Sequence, residues 1–205
     1  MNKKVIFSLV GVFTAFILLI IGVMVFTVMS KPKDVNDIVS DLREIKQYKS
    51  DVNFEIVNDM QTLLYKGHQT YKKDLGYKLD LGEGRTFIFK GDEITVIDKE
   101  NQKDYKVDKT FDEVFKYSFI GEYIELINTN EELNFKKETI DEEEFLLIDL
   151  LIPGSNRNMF KGVLYVSVKE NLPKKLVIYD SNDKERIRCT YENFDYGEKV
   201  EVEEF

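Results

Sequence analysis

The chain has 205 residues and a formal charge of −9; residues 1–33 hold four Lys and no acid, which leaves −13 for residues 34–205. So acidic a domain excludes a nucleic-acid footprint, which needs a basic surface, and argues against a domain lying flat on an anionic bilayer. Fifteen Phe and eleven Tyr supply a packed core, and the single Cys excludes an internal disulfide.

From Val5 to Met29 no side chain is charged. At ~1.5 Å per helical residue this run outreaches a hydrocarbon core of ~30 Å. A removable signal peptide is the rival reading, but its apolar region is usually only ~7–15 residues long. The cleavage pattern offered by Val28 and Ser30 is marginal, and no Cys follows the run to take a lipid. The expectation is a retained single-pass anchor in the cell membrane. Lys3 and Lys4 stay inside, and residues 34–205 form one extracytoplasmic domain.

Asp34 to Lys49 reads as a helix, with Asp34 or Asn36 as cap and Val35, Ile38, Val39, Leu42 and Ile45 as its apolar stripe. From Asp51 the period becomes two, with Val52, Phe54 and Ile56 on one face. Strand-like runs then follow between turn signals. They are 69–75, 77–81, 85–90, 93–98, 103–107, 145–152, 159–169, 174–180 and 185–194. Short loops between consecutive strands predict antiparallel hairpins. Between the two groups of strands, Thr110 to Asn128 returns to helical spacing through Phe111, Val114, Phe115, Phe119, Tyr123, Ile124 and Ile127, with Gly121 as its weak point. The fold class expected is α+β, a curved antiparallel sheet with helices packed on its concave side.

The strand Phe145–Ile152 is apolar on both faces. Phe145, Leu147 and Leu151 alternate with Leu146, Ile148, Leu150 and Ile152. A strand with one wet face alternates cleanly, so this one is expected to be covered twice. A helix, a greasy cavity or a subunit interface would each do so.

Catalytic patterns are missing. His68 is the single histidine and sits beside Gly67; a turn or surface role is the expectation. Gly82-Glu83-Gly84 is a hairpin turn rather than a phosphate cradle, and Asp141-Glu142-Glu143-Glu144 reads as a solvated turn. Asp180, Asn182 and Asp183 open like a Ca²⁺ loop, but Glu185 and Tyr191 occupy the positions that need Gly and Glu. Cys189 falls on an inward face with Ile187 and Tyr191. No metal, cofactor or catalytic residue is expected, and the chain reads as a non-enzyme.

The order of elements resembles the LolA/LolB-type lipoprotein-carrier fold over roughly Val35 to Gly197. The resemblance is carried by Gly162-Val163-Leu164-Tyr165-Val166, Leu172-Pro173 leading to Lys174–Asp180, and Thr190-Tyr191-Glu192-Asn193-Phe194. It implies an incomplete β-barrel with helices over its mouth and an interior that holds acyl chains. Within that superfamily the chain is similar to the clostridial germination lipoproteins, the GerS-like group, although it lacks their lipidated Cys. That likeness implies a partner, a cortex-modifying N-acetylmuramoyl-L-alanine amidase active in spore formation, and no lipid ligand.

Three readings follow: a membrane-tethered module that docks a cell-wall amidase, a carrier or sensor of a lipid acyl chain, and an enzyme of unrecognised kind. Phe87, Phe89, Leu146, Ile148 and Leu150 are the candidate cavity lining, Asp51–Asp59 is a candidate edge strand for β-augmentation, and a homodimer is the further assembly considered.

Overall fold

The computed structural model describes residues 16–21, 34–82, 84–91, 93–108, 113–130, 132–202 and 205. The chain divides into two compact units, Met1–Lys33 and Asp34–Phe205. In the first, residues 16–21 are helical. The rest of the apolar run expected as an anchor lies outside the described residues, and no described helix is long and apolar enough to cross a membrane.

The second unit begins with α1 (Val35–Arg43), whose N-cap Asp34 accepts from the Val35 amide at 2.7 Å. Ile38, Val39 and Leu42 bury one stripe of it. The helix ends earlier than its sequence suggests, because Gln47 already belongs to a strand. Six strands follow: β1 (Gln47–Val57), β2 (Thr62–Lys72), β3 (Gly76–Asp80), β4 (Arg85–Lys90), β5 (Glu93–Asp98) and β6 (Lys103–Asp108). Two short helices, α2 (Glu113–Lys116) and α3 (Ile120–Thr129), precede the last five strands. These are β7 (Asn134–Ile140), β8 (Glu143–Leu151), β9 (Lys161–Ser167), β10 (Pro173–Tyr179) and β11 (Glu185–Asp195).

All eleven strands join one antiparallel sheet in the order β6-β5-β4-β3-β2-β1-β11-β10-β9-β8-β7. Every neighbour is a neighbour in sequence except one. Strands β1 and β11 pair across the middle, with Phe54 opposite Cys189 and Val52 opposite Tyr191. Asp51–Asp59 is therefore no edge strand: β1 is hydrogen-bonded on both sides, and among the described residues the free edges are β6 and β7. The sheet alternates cleanly. On β1, Tyr48, Ser50, Val52 and Phe54 are buried and the residues between them are not.

The helical region breaks where its sequence did not point. The chain leaves helix at Tyr117–Phe119, and Gly121 lies inside α3. Gly121 is a close-packing position. A Cβ there would fall 2.6 Å from the Tyr77 hydroxyl and 3.1 Å from the Tyr71 ring. The break itself is held by buried polar groups, described below. Strand β7 carries Lys136-Lys137-Glu138 and is exposed along most of its length; it has no periodic signal because neither face is buried.

Candidate binding surfaces

The inner face of the sheet carries α2 and α3, and the two halves of that face are built from different side chains. On the β1–β4 side the layer is aromatic. The Phe115 ring of α2 meets Phe54 at 5.0 Å, Phe87 at 5.5 Å and Tyr65 at 6.0 Å between centroids. Phe119 meets Tyr77 at 4.7 Å and Phe89 at 5.2 Å. On the β8–β11 side the layer is aliphatic. Leu146, Ile148, Leu150, Leu164, Val166, Leu176 and Ile178 are all at most 1% exposed. Tyr123 of α3 lies over them, and its hydroxyl donates to the Ile148 carbonyl at 3.0 Å. Gly162 makes room for that ring; a Cβ there would sit 2.9 Å from Tyr123 Cε2.

Between the halves, a buried polar cluster fixes the helix break. The Tyr48 hydroxyl donates to Gln69 Oε1 at 3.0 Å and accepts the Ile120 amide at 3.2 Å. That amide belongs to the first residue of α3, whose N-cap Phe119 offers no side-chain acceptor. Gln69 Nε2 donates to Ser118 Oγ at 2.8 Å, and Ser118 Oγ donates to the Phe115 carbonyl at 2.6 Å. The Tyr191 hydroxyl donates to the Ser118 carbonyl. Each polar group has a partner, as burial demands. Burial raises the Tyr48 and Tyr191 hydroxyls well above the usual tyrosine range, so both stay protonated donors. Gln69 gave no sequence signal beyond being a polar residue on an inward-facing position.

The five lining candidates all face inward, but they separate. Phe87 walls a cleft of about 420 Å³ together with Ile56, Leu63, Leu81, Val114 and Phe115, and with Arg85 and Glu100. Phe89 borders another of about 480 Å³ with Tyr71, Tyr77 and Phe119, rimmed by Glu122, Glu125 and Lys116. Leu146, Ile148 and Leu150 are 0% exposed beneath α3. The α2 residues Val114 and Phe115, which complete the first cleft, were visible in the sequence as a helical stripe but not as lining.

The remaining sequence candidates sit apart from one another. His68 is exposed on the outer face, its Nδ1 3.0 Å from Asp51 Oδ1. Asn193 and His68 hold the Asp51 carboxyl below the usual range. Asp141 and Glu142, with φ of 48° and 68°, form the two-residue β7–β8 turn. Asp180 is 3% exposed and closes the β10–β11 turn, accepting the Asn182 amide at 2.8 Å, the Lys184 amide at 3.0 Å and Arg186 Nε at 2.7 Å. Cys189 is buried, and burial pushes its thiol up, away from the reactive thiolate form. Among the described residues no group of three or more His, Cys, Asp or Glu is placed to hold a metal ion.

The outer face of β8–β10 is less wet than its position suggests. Leu147 lies opposite Tyr165, which lies opposite Lys175; Asp149 lies opposite Val163, which lies opposite Val177. Val163 and Val177 are 7% and 2% exposed although they stand outside the main core. Tyr165, Tyr179, Lys161 and Lys175 shield them, with Lys175 Nζ 4.0 Å from the Tyr165 ring centre and Lys161 Nζ 5.1 Å from that of Tyr179. Among the described residues, α3 covers the Leu146, Ile148 and Leu150 row of β8 and also lines a cleft with Leu151 at the strand end. The strand's other apolar row, Phe145, Leu147 and Leu151, is half-buried.

Among solved structures, the chain is similar to one in the complex of the CwlD amidase from Clostridioides difficile with the GerS lipoprotein, at 25% identity. That match covers 82% of this chain and 98% of the other, with a TM-score of 0.48. It shares its fold with an uncharacterized conserved protein from Thermus thermophilus, at 10% identity and a TM-score of 0.53, covering 82% and 88% of the two chains. It is also similar to the LolA superfamily protein NE2245 from Nitrosomonas europaea, at 12% identity and a TM-score of 0.41, covering 82% and 96%. No curated protein matches it. A family model described as "Sporulation protein YdcC-like" matches residues 4–205, and the chain belongs to that family of sporulation proteins.

Proposed function

We propose that the chain is a membrane-anchored, non-catalytic binding module. Its extracytoplasmic domain partners a cell-wall amidase of the spore cortex during sporulation or germination. Membership of a sporulation family is the observation that carries this reading. The sequence resemblance to the GerS-like group supplies the class of partner; GerS itself is in complex with the CwlD amidase. The packed inner face supports an adaptor over a carrier. Phe115, Phe119, Ile120, Tyr123, Ile124 and Ile127 fill that face, each at most 8% exposed. The anchor proposed is the uncharged run 5–29, with the domain outside the cell membrane.

A lipid carrier or sensor is the second reading, favoured by the cleft whose apolar side is built from Phe87, Phe115, Ile56 and Leu63. Gentle solubilisation of a tagged full-length chain from its native host separates the two. A stoichiometric cell-wall amidase in the eluate, absent from an anchor-only control, supports the adaptor. Bound lipid with no protein partner overturns it.

A further inference from the structure

We propose that residues 62–66 of β2 are the docking edge for the partner protein, which adds an extended segment to the sheet there. The inference rests on the adaptor reading and gives it a place on the molecule and a mode of contact.

Inside the sheet, β2 outlasts its neighbour. Its pairing with β1 runs unbroken from Lys72 opposite Gln47 to Thr62 opposite Val57, whereas β3 stops at Asp80, opposite His68. Two bonds fix which way its main chain points. The Lys73 amide donates to the Lys46 carbonyl at 2.9 Å, and the Asn58 amide donates to the Gln61 carbonyl at 3.0 Å. Hydrogen-bonded positions alternate along an antiparallel pair. The odd-numbered residues of β2 therefore turn N–H and C=O to β1, and the even-numbered ones turn them away. At His68, Thr70 and Lys72 those groups meet β3. At Thr62, Leu64 and Lys66 they meet no main-chain partner among the described residues. All three residues are exposed. Gly67 marks the boundary, since a Cβ there would fall 2.6 Å from the Asp80 carbonyl oxygen. Beyond it the space is open: a Cβ at Gly82, in the β3–β4 turn, would meet nothing within 4 Å.

The unpaired groups define the occupant. Main-chain donors and acceptors at strand spacing are matched by another strand; a helix bonds its own internally, and an acyl chain has none. Side chains narrow the choice. Leu63 and Tyr65 face inward and line the cleft of about 420 Å³ with Ile56, Phe87 and Phe115, while Leu64, 72% exposed, faces out. A strand laid along the edge turns the residue opposite Leu64 outward and sets its two neighbours over the cleft. The segment that fits is therefore apolar at two positions flanking one exposed residue. A second copy fits less well. Its β7 presents Lys137 on the inward row, opposite Leu146, where an apolar side chain is needed. Its β6 pairs head to tail, a contact that repeats into open fibres unless the rotation closes a ring. The same edge pairing with itself drives residues 58–61 of one copy into the β3–β4 turn of the other. The occupant is an extended segment of a different protein.

The test adds the purified cell-wall amidase from the same organism to the full-length chain in detergent and reads affinity and amide exchange. The Leu64 amide points away from β1, so Leu64→Pro removes a donor to the partner and no bond within the sheet. The expected affinity is weaker by about tenfold or more for Leu64→Pro, and within about threefold of wild type for Leu64→Ala, which keeps the amide. In the wild-type complex the Leu64 and Lys66 amides should exchange about tenfold more slowly or better, while β6 amides keep their rates. If Leu64→Pro does not fold, the exchange decides alone. Wild-type affinity in a folded Leu64→Pro, or unchanged exchange at residues 62–66 in the complex, overturns the docking edge and leaves the adaptor reading standing. No binding by the wild type overturns the adaptor reading, and this inference with it. Slow exchange at residues 62–66 in the chain alone, with a dimer in sedimentation, makes the occupant a second copy, which also overturns the proposal.

Discussion

The aromatic and aliphatic halves of the inner face do the same job with different consequences. Under the middle of α3, branched aliphatic side chains interdigitate with one ring, Tyr123, and the layer is closed; a cleft of about 450 Å³ lies at the helix end, against Leu126, Thr129, Asn130, Leu151 and Pro153. Under α2, planar rings meet at tilted and edge-on angles, and clefts of about 420 and 480 Å³ remain beside them. Rings are rigid and wide, so they fill an interior only where their edges and faces find complementary partners. Aliphatic side chains adapt through rotamer choice to native density. One sheet thus carries a half closed beneath the middle of α3 and an open half with clefts beside its rings.

Breaking the closed half should cost most. Tyr123→Ala empties the space over Gly162 and removes the hydroxyl from the Ile148 carbonyl, a loss of about 4 kcal/mol in urea unfolding. The seam comes next. Ser118→Ala leaves Gln69 Nε2 without an acceptor in a buried site, costing about 2 kcal/mol. It should also speed amide exchange at Ile120 more than at Ile148. In the open half, Phe87→Leu enlarges a space that already exists and should cost only about 1 kcal/mol. If Phe87→Leu costs as much as Tyr123→Ala, the contrast between halves fails.

The smallest expected effect tests what the halves have in common. Each uses a buried turn aspartate tied to backbone amides and an arginine: Asp98 with the Asn101 amide and Arg85, Asp180 with the Lys184 and Asn182 amides and Arg186. Those partners hold both carboxyls below the usual aspartate range. A depressed folded-state pKa gives stability that is present above the unfolded value of about 3.9 and is lost as pH falls through the folded value. Stability should therefore decline in acid below about pH 4. Asp98→Asn and Asp180→Asn should each flatten that decline, measured as urea midpoint against pH, and by similar amounts.

How much of this was legible depended on distance along the chain. The two groups of strands and the helical interruption followed from local period; period put Leu146, Ile148 and Leu150 on one face of their strand but could not say that this face, or that of Phe87 and Phe89, is the inner one. Strand β7 did not follow from period, because an exposed edge with Lys136-Lys137-Glu138 has no buried face to mark it. The helix of 34–43 read too long because Ile45 continues its phase by coincidence before β1 begins. The placing of β1 at an edge failed for another reason. Period tells which face a residue takes, whereas neighbours are set by pairing, and Phe54 meets Cys189 across most of the domain. The split of the lining candidates into one group beside a cleft and one sealed group depended on where α2 and α3 land. Ser118, Gln69 and Tyr48 decide that through contacts that are themselves long-range.

The pairing of β1 with β11 also bears on the order in which the domain is made. Strands β1 to β6 emerge first and find each other through short hairpins, but β1 gains its second neighbour only when residues 187–195 arrive. Closing so distant a pair is slow, since the intervening loop must be ordered before the contact rewards it. A nascent domain stalled before β11 would display an unpaired β1 with Val52 and Phe54 beside it, a template for other chains. Completion by the last strand thus makes truncation, more than substitution, the hazard this fold faces during synthesis.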